Sequence, residues 1–176
     1  MNLEKLKSKV RNVPDFPIPG IQFKDVTTLF KDAETLRELS DALYEMYRDK
    51  GITKVVGIES RGFIMGPLLA ERLNAGFIPI RKPGKLPAAV YEETYEKEYG
   101  PDAIQVHQDA IGEGETVLLH DDLLATGGTM AGAVRLIENF KPKKIYVNFL
   151  IELEDLNGRE AFPPEIEVDS LIKYEA

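Results

Sequence analysis

One stretch limits what this chain can fold into more than any other: Val117-Leu118-Leu119-His120-Asp121-Asp122-Leu123-Leu124-Ala125-Thr126-Gly127-Gly128-Thr129. An apolar run ends in two adjacent carboxylates, a glycine pair follows between threonines, and a helical pattern then begins. A strand that passes into a helix through a tight turn is the repeating step of a parallel α/β sheet. At such a turn the first backbone N–H groups of the helix lack partners, and the helix dipole favours an anion. The glycines permit close backbone approach and positive φ, and the threonine hydroxyls add donors. The Gly-Lys-Ser/Thr ending of a nucleotide-binding P-loop is absent. Asp121 and Asp122 are acceptors suited to sugar hydroxyls or to waters on a divalent cation. A glycine pair alone is most simply a helix start. With the strand before it and the helix after it, the string reads as a pocket for a sugar phosphate.

The other apolar residues fit the same plan. Leu3, Leu6 and Val10 stand at helical spacing, which predicts a short helix over residues 2–11. Pro14, Pro17, Pro19 and Gly20 make a stiff turn before a short strand at 21–25. Leu36, Leu39, Leu43 and Met46 mark a second helix, with Gly51 just past its end. Compact apolar runs predict strands at 54–58, 77–80, 117–120 and 144–151, with helices at 62–73 and 129–140 between them. Residues 169–174 suit a final edge strand. The expected class is α/β: a central, mainly parallel sheet with helices on both faces, binding its ligand beyond the carboxyl ends of the strands. Residues 81–99 interrupt the pattern, being rich in Lys, Glu, Tyr and Pro, and are expected to form a functional or mobile loop. Without repeats, low-complexity tracts or linkers, residues 1–176 are expected to form a single domain.

Composition narrows the chemistry. A net charge of −8 over 176 residues argues against general nucleic-acid binding. The absence of cysteine excludes disulfides and thiolate metal sites, and His107 and His120 are too few for a histidine cage. The first residues lack the apolar core of a signal peptide, and no run approaches the ~20 apolar residues of a membrane span. A cytoplasmic protein that binds neither nucleic acid nor membrane is expected. Against the acidic background, Arg81, Lys82 and Lys85 concentrate positive charge within five residues, with Pro83 and Gly84 turning the chain between them. Arg61, just before Gly62 at a strand-to-helix step, could meet an anion with both guanidinium and backbone N–H. Phe23 is either a core aromatic or a stacking surface for a flat ligand.

Apolar residues, two acids, two apolar residues and then Ala-Thr-Gly-Gly-Thr resemble the phosphoribosyl pyrophosphate (PRPP) signature of the type I phosphoribosyltransferases. Asp121 through Met130 is similar to the branch of that family that uses adenine. Asp15-Phe16-Pro17-Ile18-Pro19-Gly20-Ile21-Gln22-Phe23-Lys24-Asp25 resembles its N-terminal base-binding segment, and Glu59-Ser60-Arg61-Gly62-Phe63 its pyrophosphate loop. Arg81 to Pro87 and Tyr95 to Gly100 resemble its mobile loop. The blocks run in order from about residue 12 to residue 160.

The resemblance implies the type I phosphoribosyltransferase fold, with a small N-terminal hood over residues 1–30 and a mobile β-loop at 81–100. It also implies transfer of a phosphoribosyl group from PRPP to adenine, giving AMP and pyrophosphate in purine salvage, with Mg2+ held mainly by PRPP, in a homodimer. A transferase for hypoxanthine, guanine or xanthine is an alternative, as is a non-catalytic PRPP-binding regulator. Carried onto this chain, the motifs assign Glu98, Asp121 and Asp122 to catalysis. Asp121, Asp122, Ala125, Thr126, Gly127, Gly128 and Thr129 take the ribose 5-phosphate. Ser60, Arg61, Arg81, Lys82 and Lys85 take pyrophosphate, and Gln22, Phe23, Arg61 and Leu153 take adenine. The pyrophosphate loop is expected to contain a cis peptide not involving proline. His120 departs from the family, which usually has an aliphatic residue there. It is either a structural histidine, kept neutral or given a partner, or a source of pH dependence in ribose binding. His107 is assigned no role.

Overall fold

The computed structural model describes residues 1–97 and 100–175. They fall into two compact units, Met1–Met46 and Tyr47–Ala176.

The first unit begins with helix α1 (Leu3–Lys9), whose start is capped by Asn2 Oδ1 accepting the Lys5 N–H at 3.1 Å. Strands β1 (Arg11–Pro14) and β2 (Gln22–Asp25) pair antiparallel with Val13 opposite Phe23. The prolines reverse the chain between them: Phe16–Pro17 is cis, and Asp15 Oδ1 accepts the Gly20 N–H at 2.8 Å. Phe16 meets the Phe23 ring edge-on at 5.1 Å. Helices α2 (Thr27–Phe30) and α3 (Ala33–Tyr47) follow. Lys5 of α1 reaches Glu34 and Glu38 of α3, four residues apart and so on one helix face, at 3.0 and 3.1 Å.

The second unit is built on β3 (Lys54–Ile58), α4 (Gly62–Arg72), β4 (Gly76–Ile80), β5 (Val90–Lys97), β6 (Gly100–His107), β7 (Thr116–Leu124), α5 (Gly128–Glu138), β8 (Lys144–Leu153) and β9 (Glu167–Tyr174). Five strands form one sheet in the order β4-β3-β7-β8-β9, every neighbouring pair parallel. The apolar runs therefore lie where both faces are covered. Val56, Ile58, Val117 and Leu119 face α5, joining Met130, Val134 and Ile137 in the main core. Phe77 points the other way and meets Phe63 of α4 edge-on at 6.1 Å. No helix among the described residues is long and apolar enough to cross a membrane.

Two boundaries differ from expectation. Strand β7 continues past His120 to Leu124, because β8 pairs with it as far as Leu124 opposite Glu152. The acid pair is thus inside the strand and not beyond its end. The polar stretch 81–99 is not all loop either, since β5 and β6 form an antiparallel hairpin from Val90 opposite His107 to Lys97 opposite Gly100. Tyr95 is buried in the core, and Tyr91 meets Phe140 at 5.3 Å. Between those two tyrosines, Glu93 pairs with Arg135 of α5 at 2.9 Å. A charge on the packed face hides the strand's alternation.

Candidate active site

The carboxyl end of β7 presents the two acids differently. Asp122 is almost fully buried and is ion-paired with Arg61, which immediately precedes α4. Asp121 is half-buried, and its Oδ1 accepts the Asp122 N–H at 2.8 Å. Burial, and then the charge of Asp122, push the Asp121 carboxyl well above the usual carboxylate range. One acid is held by a guanidinium, and its neighbour is poised to accept a hydrogen bond or a proton.

The turn that follows is shaped for an anion. Gly127 has φ 85°, in the left-handed region that favours glycine, and α5 starts at the next residue. No side chain caps this helix start and no acid lies in its first turn. The first intrahelical bond is Ala131 N–H to Gly127 C=O, 2.9 Å, so the N–H groups of Gly128 to Met130 have no acceptor within the helix. A cavity of 110 Å³ opens here, lined by Asp121, Phe149 and residues 123–130. Asp121 and the assigned residues Ala125 to Thr129 all line it, whereas Asp122, the remaining member of the expected ribose-phosphate set, does not and is turned to Arg61.

Beyond β3 the chain turns through a cis Glu59–Ser60 bond, in the place the family motif implied. Glu59 is the hub of this region. It accepts from Arg81 Nε at 3.3 Å, from the Lys82 N–H at 2.8 Å and from Lys85 Nζ at 2.5 Å. Burial works to raise the Glu59 carboxyl, but these donors hold it below its ordinary range. Of the assigned pyrophosphate residues, Ser60 is beside the hub in sequence, and Arg81 and Lys85 are bound to it. Lys82 offers only its backbone here. Its ammonium turns to Asp102 and to the Tyr95 hydroxyl, 3.0 Å away, and Lys97 reaches the same Asp102 at 2.7 Å.

The residues assigned to the base are spread along the chain. Gln22 and Phe23 lie on β2 in the first unit, with Gln22 Oε1 accepting from Asn12 at 2.6 Å and Phe23 half-buried. Arg61 and Leu153 belong to the second unit, Leu153 half-buried at the carboxyl end of β8. Glu98 lies outside the described residues. His120 is fully buried, its Nδ1 2.8 Å from Asn148 Oδ1 on β8, and burial lowers its pKa so that the ring stays neutral. Its Nε2 has no hydrogen-bond partner among the described residues.

Four charged residues of this region carry no role in the sequence pattern. Glu59 stood inside a quoted motif with no role assigned, although an acid at a strand end beside an arginine was signal enough. Asp102 carried no local sign, since it meets Lys82 only because β6 folds back on β5. Glu152 and Arg159 pair at 2.7 Å across the end of β8, and nothing nearby in sequence announced them.

The sequence pattern of the phosphoribosyl transferase domain matches residues 25–173. A Bacteroides thetaiotaomicron adenine phosphoribosyltransferase is 67% identical over 172 residues, 98% of either chain. The Saccharomyces cerevisiae adenine phosphoribosyltransferase, solved with an imino-altritol bisphosphate and adenine, is 39% identical, with a TM-score of 0.91 over 97% of this chain and 98% of that one. The Trypanosoma brucei enzyme, solved with AMP, pyrophosphate and ribose 5-phosphate, is 26% identical, with a TM-score of 0.88 over 97% of this chain and 78% of its own.

Proposed function

This chain belongs to the phosphoribosyltransferase family, among the adenine phosphoribosyltransferases, and we propose that its site moves the 5-phosphoribosyl group of PRPP to adenine, releasing AMP and pyrophosphate. The observation that carries this reading is the acid pair of β7 running directly into the uncapped start of α5 over a phosphate-sized cavity. The bond from the anomeric carbon to the pyrophosphate oxygen breaks as the bond to the imidazole nitrogen of adenine forms. Such displacements gather positive charge on the sugar. Asp121 and Asp122 hold the ribose hydroxyls and favour that charge, while Ala125 to Thr129 anchor the 5-phosphate with backbone N–H groups and hydroxyls.

Ser60, Arg61, Arg81, Lys82 and Lys85 receive the leaving pyrophosphate. For Arg81 and Lys85 this means exchanging Glu59 for substrate oxygens. Gln22, Phe23, Arg61 and Leu153 hold adenine, with Phe23 as the stacking surface. Glu98 manages the proton on the imidazole nitrogens, an assignment supported by the family motif alone. Closure of residues 81–100 excludes water and limits hydrolysis of PRPP. The hard oxygen donors of Asp121 and Asp122 fit Mg2+, which such acids hold through water while substrate phosphates supply the direct ligands. When bound, Mg2+ adds positive charge against the leaving group. We place the enzyme in the cytoplasm as a homodimer, with residues 1–176 as one catalytic domain.

The test is turnover with PRPP, Mg2+ and each of adenine, hypoxanthine, guanine and xanthine. AMP and pyrophosphate should form in equal amounts from adenine and much faster than product from the other bases. No AMP from adenine overturns the reading.

A further inference from the structure

The turn assigned to the 5-phosphate has no side-chain cap, so something else must hold its N–H groups in place. What lies beneath it is backbone. A Cβ on Gly127 would overlap the Gly158 carbonyl oxygen and come within 2.9 Å of Ala161 Cβ. In turn, a Cβ on Gly158 would overlap the Ala125 carbonyl oxygen and lie 2.7 Å from Leu124 Cδ1. The two chain segments are seated on each other with no side chain between them, so a shift of Gly158 shifts Ala125 and Gly127.

Arg159, the next residue, is partly exposed, but its guanidinium is held by hydrogen bonds from every nitrogen. Its Nε and Nη2 donate to Glu152 Oε1 and Oε2, both at 2.7 Å. Its Nη1 donates to the Val168 carbonyl at 2.5 Å, and Nη2 also reaches Ser170 Oγ at 3.2 Å. The Ser170 hydroxyl donates to Glu152 as well. Glu152 is only 4% exposed, and it stands on β8 directly opposite Leu124, the residue before the turn. A two-pronged guanidinium–carboxylate pair fixes direction as well as distance. With the Arg159 side chain 41% exposed and Glu152 buried, the pair contributes little net stability, because solvent screens the attraction and desolvation of the carboxylate offsets it. Its effect is geometric.

We propose that Arg159 and Glu152 are positioning residues for the ribose 5-phosphate: their forked pair pins Gly158 and thereby aims the backbone N–H groups of the Ala125–Gly128 turn. This rests on the reading of that turn as the phosphate site. Anion recognition by backbone N–H tolerates displacements of only about 0.5 Å, so loosening the brace should weaken the phosphate end of the substrate selectively.

The experiment measures binding of ribose 5-phosphate and of magnesium pyrophosphate by calorimetry, with PRPP KM and kcat beside them. Arg159→Lys keeps the charge and loses the fork. The double variant Glu152→Gln, Arg159→Gln leaves no unpaired buried charge. Both should weaken ribose 5-phosphate about tenfold and raise PRPP KM similarly, while pyrophosphate affinity and kcat stay within about twofold. Wild-type affinity for ribose 5-phosphate in Arg159→Lys overturns the proposal. So does an equal loss of both ligands, which marks general loosening. Thr126→Glu, at an exposed position of the turn, sets a negative charge against a bound phosphate and tests the underlying reading separately: unchanged ribose 5-phosphate binding there would remove the phosphate from this turn, whatever the Arg159 variants do.

Discussion

Asp121, proposed above for the ribose, is held in the fold in a way that opposes its ionisation. In the unfolded chain its carboxyl titrates at its ordinary value near 3.8; in the folded chain burial and Asp122 raise it. Between those values the unfolded chain has released a proton that the folded chain retains, so stability falls as pH rises through that window. The cost grows from pH 3.8 upward toward the raised value of the folded chain. Asp121→Asn removes it and keeps an oxygen to accept the Asp122 N–H. We expect a higher melting temperature for the variant at pH 7, by about 2–4 °C per kcal/mol relieved. The difference should vanish below pH 3.8, where both forms are neutral. Phosphoribosyl transfer should fall about tenfold or more, as when a charge-stabilising group is lost. Melting curves across pH, followed by circular dichroism, check the first part. A variant no more stable than wild type at pH 7 would show that Asp121 is not held against its ionisation. Gly127 belongs to the same level of argument, because its φ and its contact with Gly158 both exclude a side chain.

The strand ends act together through Glu59. It closes β3 and holds Arg81 and Lys85 from the segment beyond β4, so the cations proposed for pyrophosphate already have an anion. Glu59→Gln keeps an oxygen for the Lys82 N–H and removes the competing charge. Pyrophosphate should then bind severalfold more tightly at low ionic strength, and the gain should shrink as salt screens it. Weaker binding would mean that Glu59 orders the cations more than it competes for them. Elements such as β3, β7 and β8 could be read from sequence because both their faces are covered and their apolar runs are nearly unbroken. Strand β5 could not, since Glu93 sits on its packed face and is satisfied only by Arg135 on another element. The end of β7 departs from its sequence pattern for a related reason: Asp121 and Asp122 have the polarity of loop residues, and only the pairing of β8 alongside keeps the strand going to Leu124. The ribose-phosphate set is contiguous in sequence and was legible as a block. Contacts such as Lys82 with Asp102, or Arg159 with Glu152, exist only after the chain folds back, and no local pattern encodes them.

Charge and surface suggest how the assembled enzyme presents this site. The chain carries a net −8, yet Arg61, Arg81, Lys82 and Lys85, the residues proposed to receive pyrophosphate, are cationic. Repulsion elsewhere and attraction at one cleft favour productive encounters, and the preference should fade with ionic strength. Helix α4, which starts at the pyrophosphate loop, leaves Ile64 and Leu68 37% and 40% exposed. They are four residues apart and so lie on one helix face, where apolar exposure is costly unless covered. A second copy of the chain is the occupant that the proposed homodimer supplies, and a stable contact would need to bury about 1,200–2,000 Å² in all. Placing the contact on α4 would tie dimer formation to the loop carrying Ser60 and Arg61. The wild-type protein should sediment at twice the chain mass, and Ile64→Glu with Leu68→Glu should sediment as single chains with a raised KM for PRPP. A wild-type protein that sediments as a single chain removes the homodimer. A dimer that survives both glutamates moves the contact off α4 and uncouples it from the pyrophosphate loop.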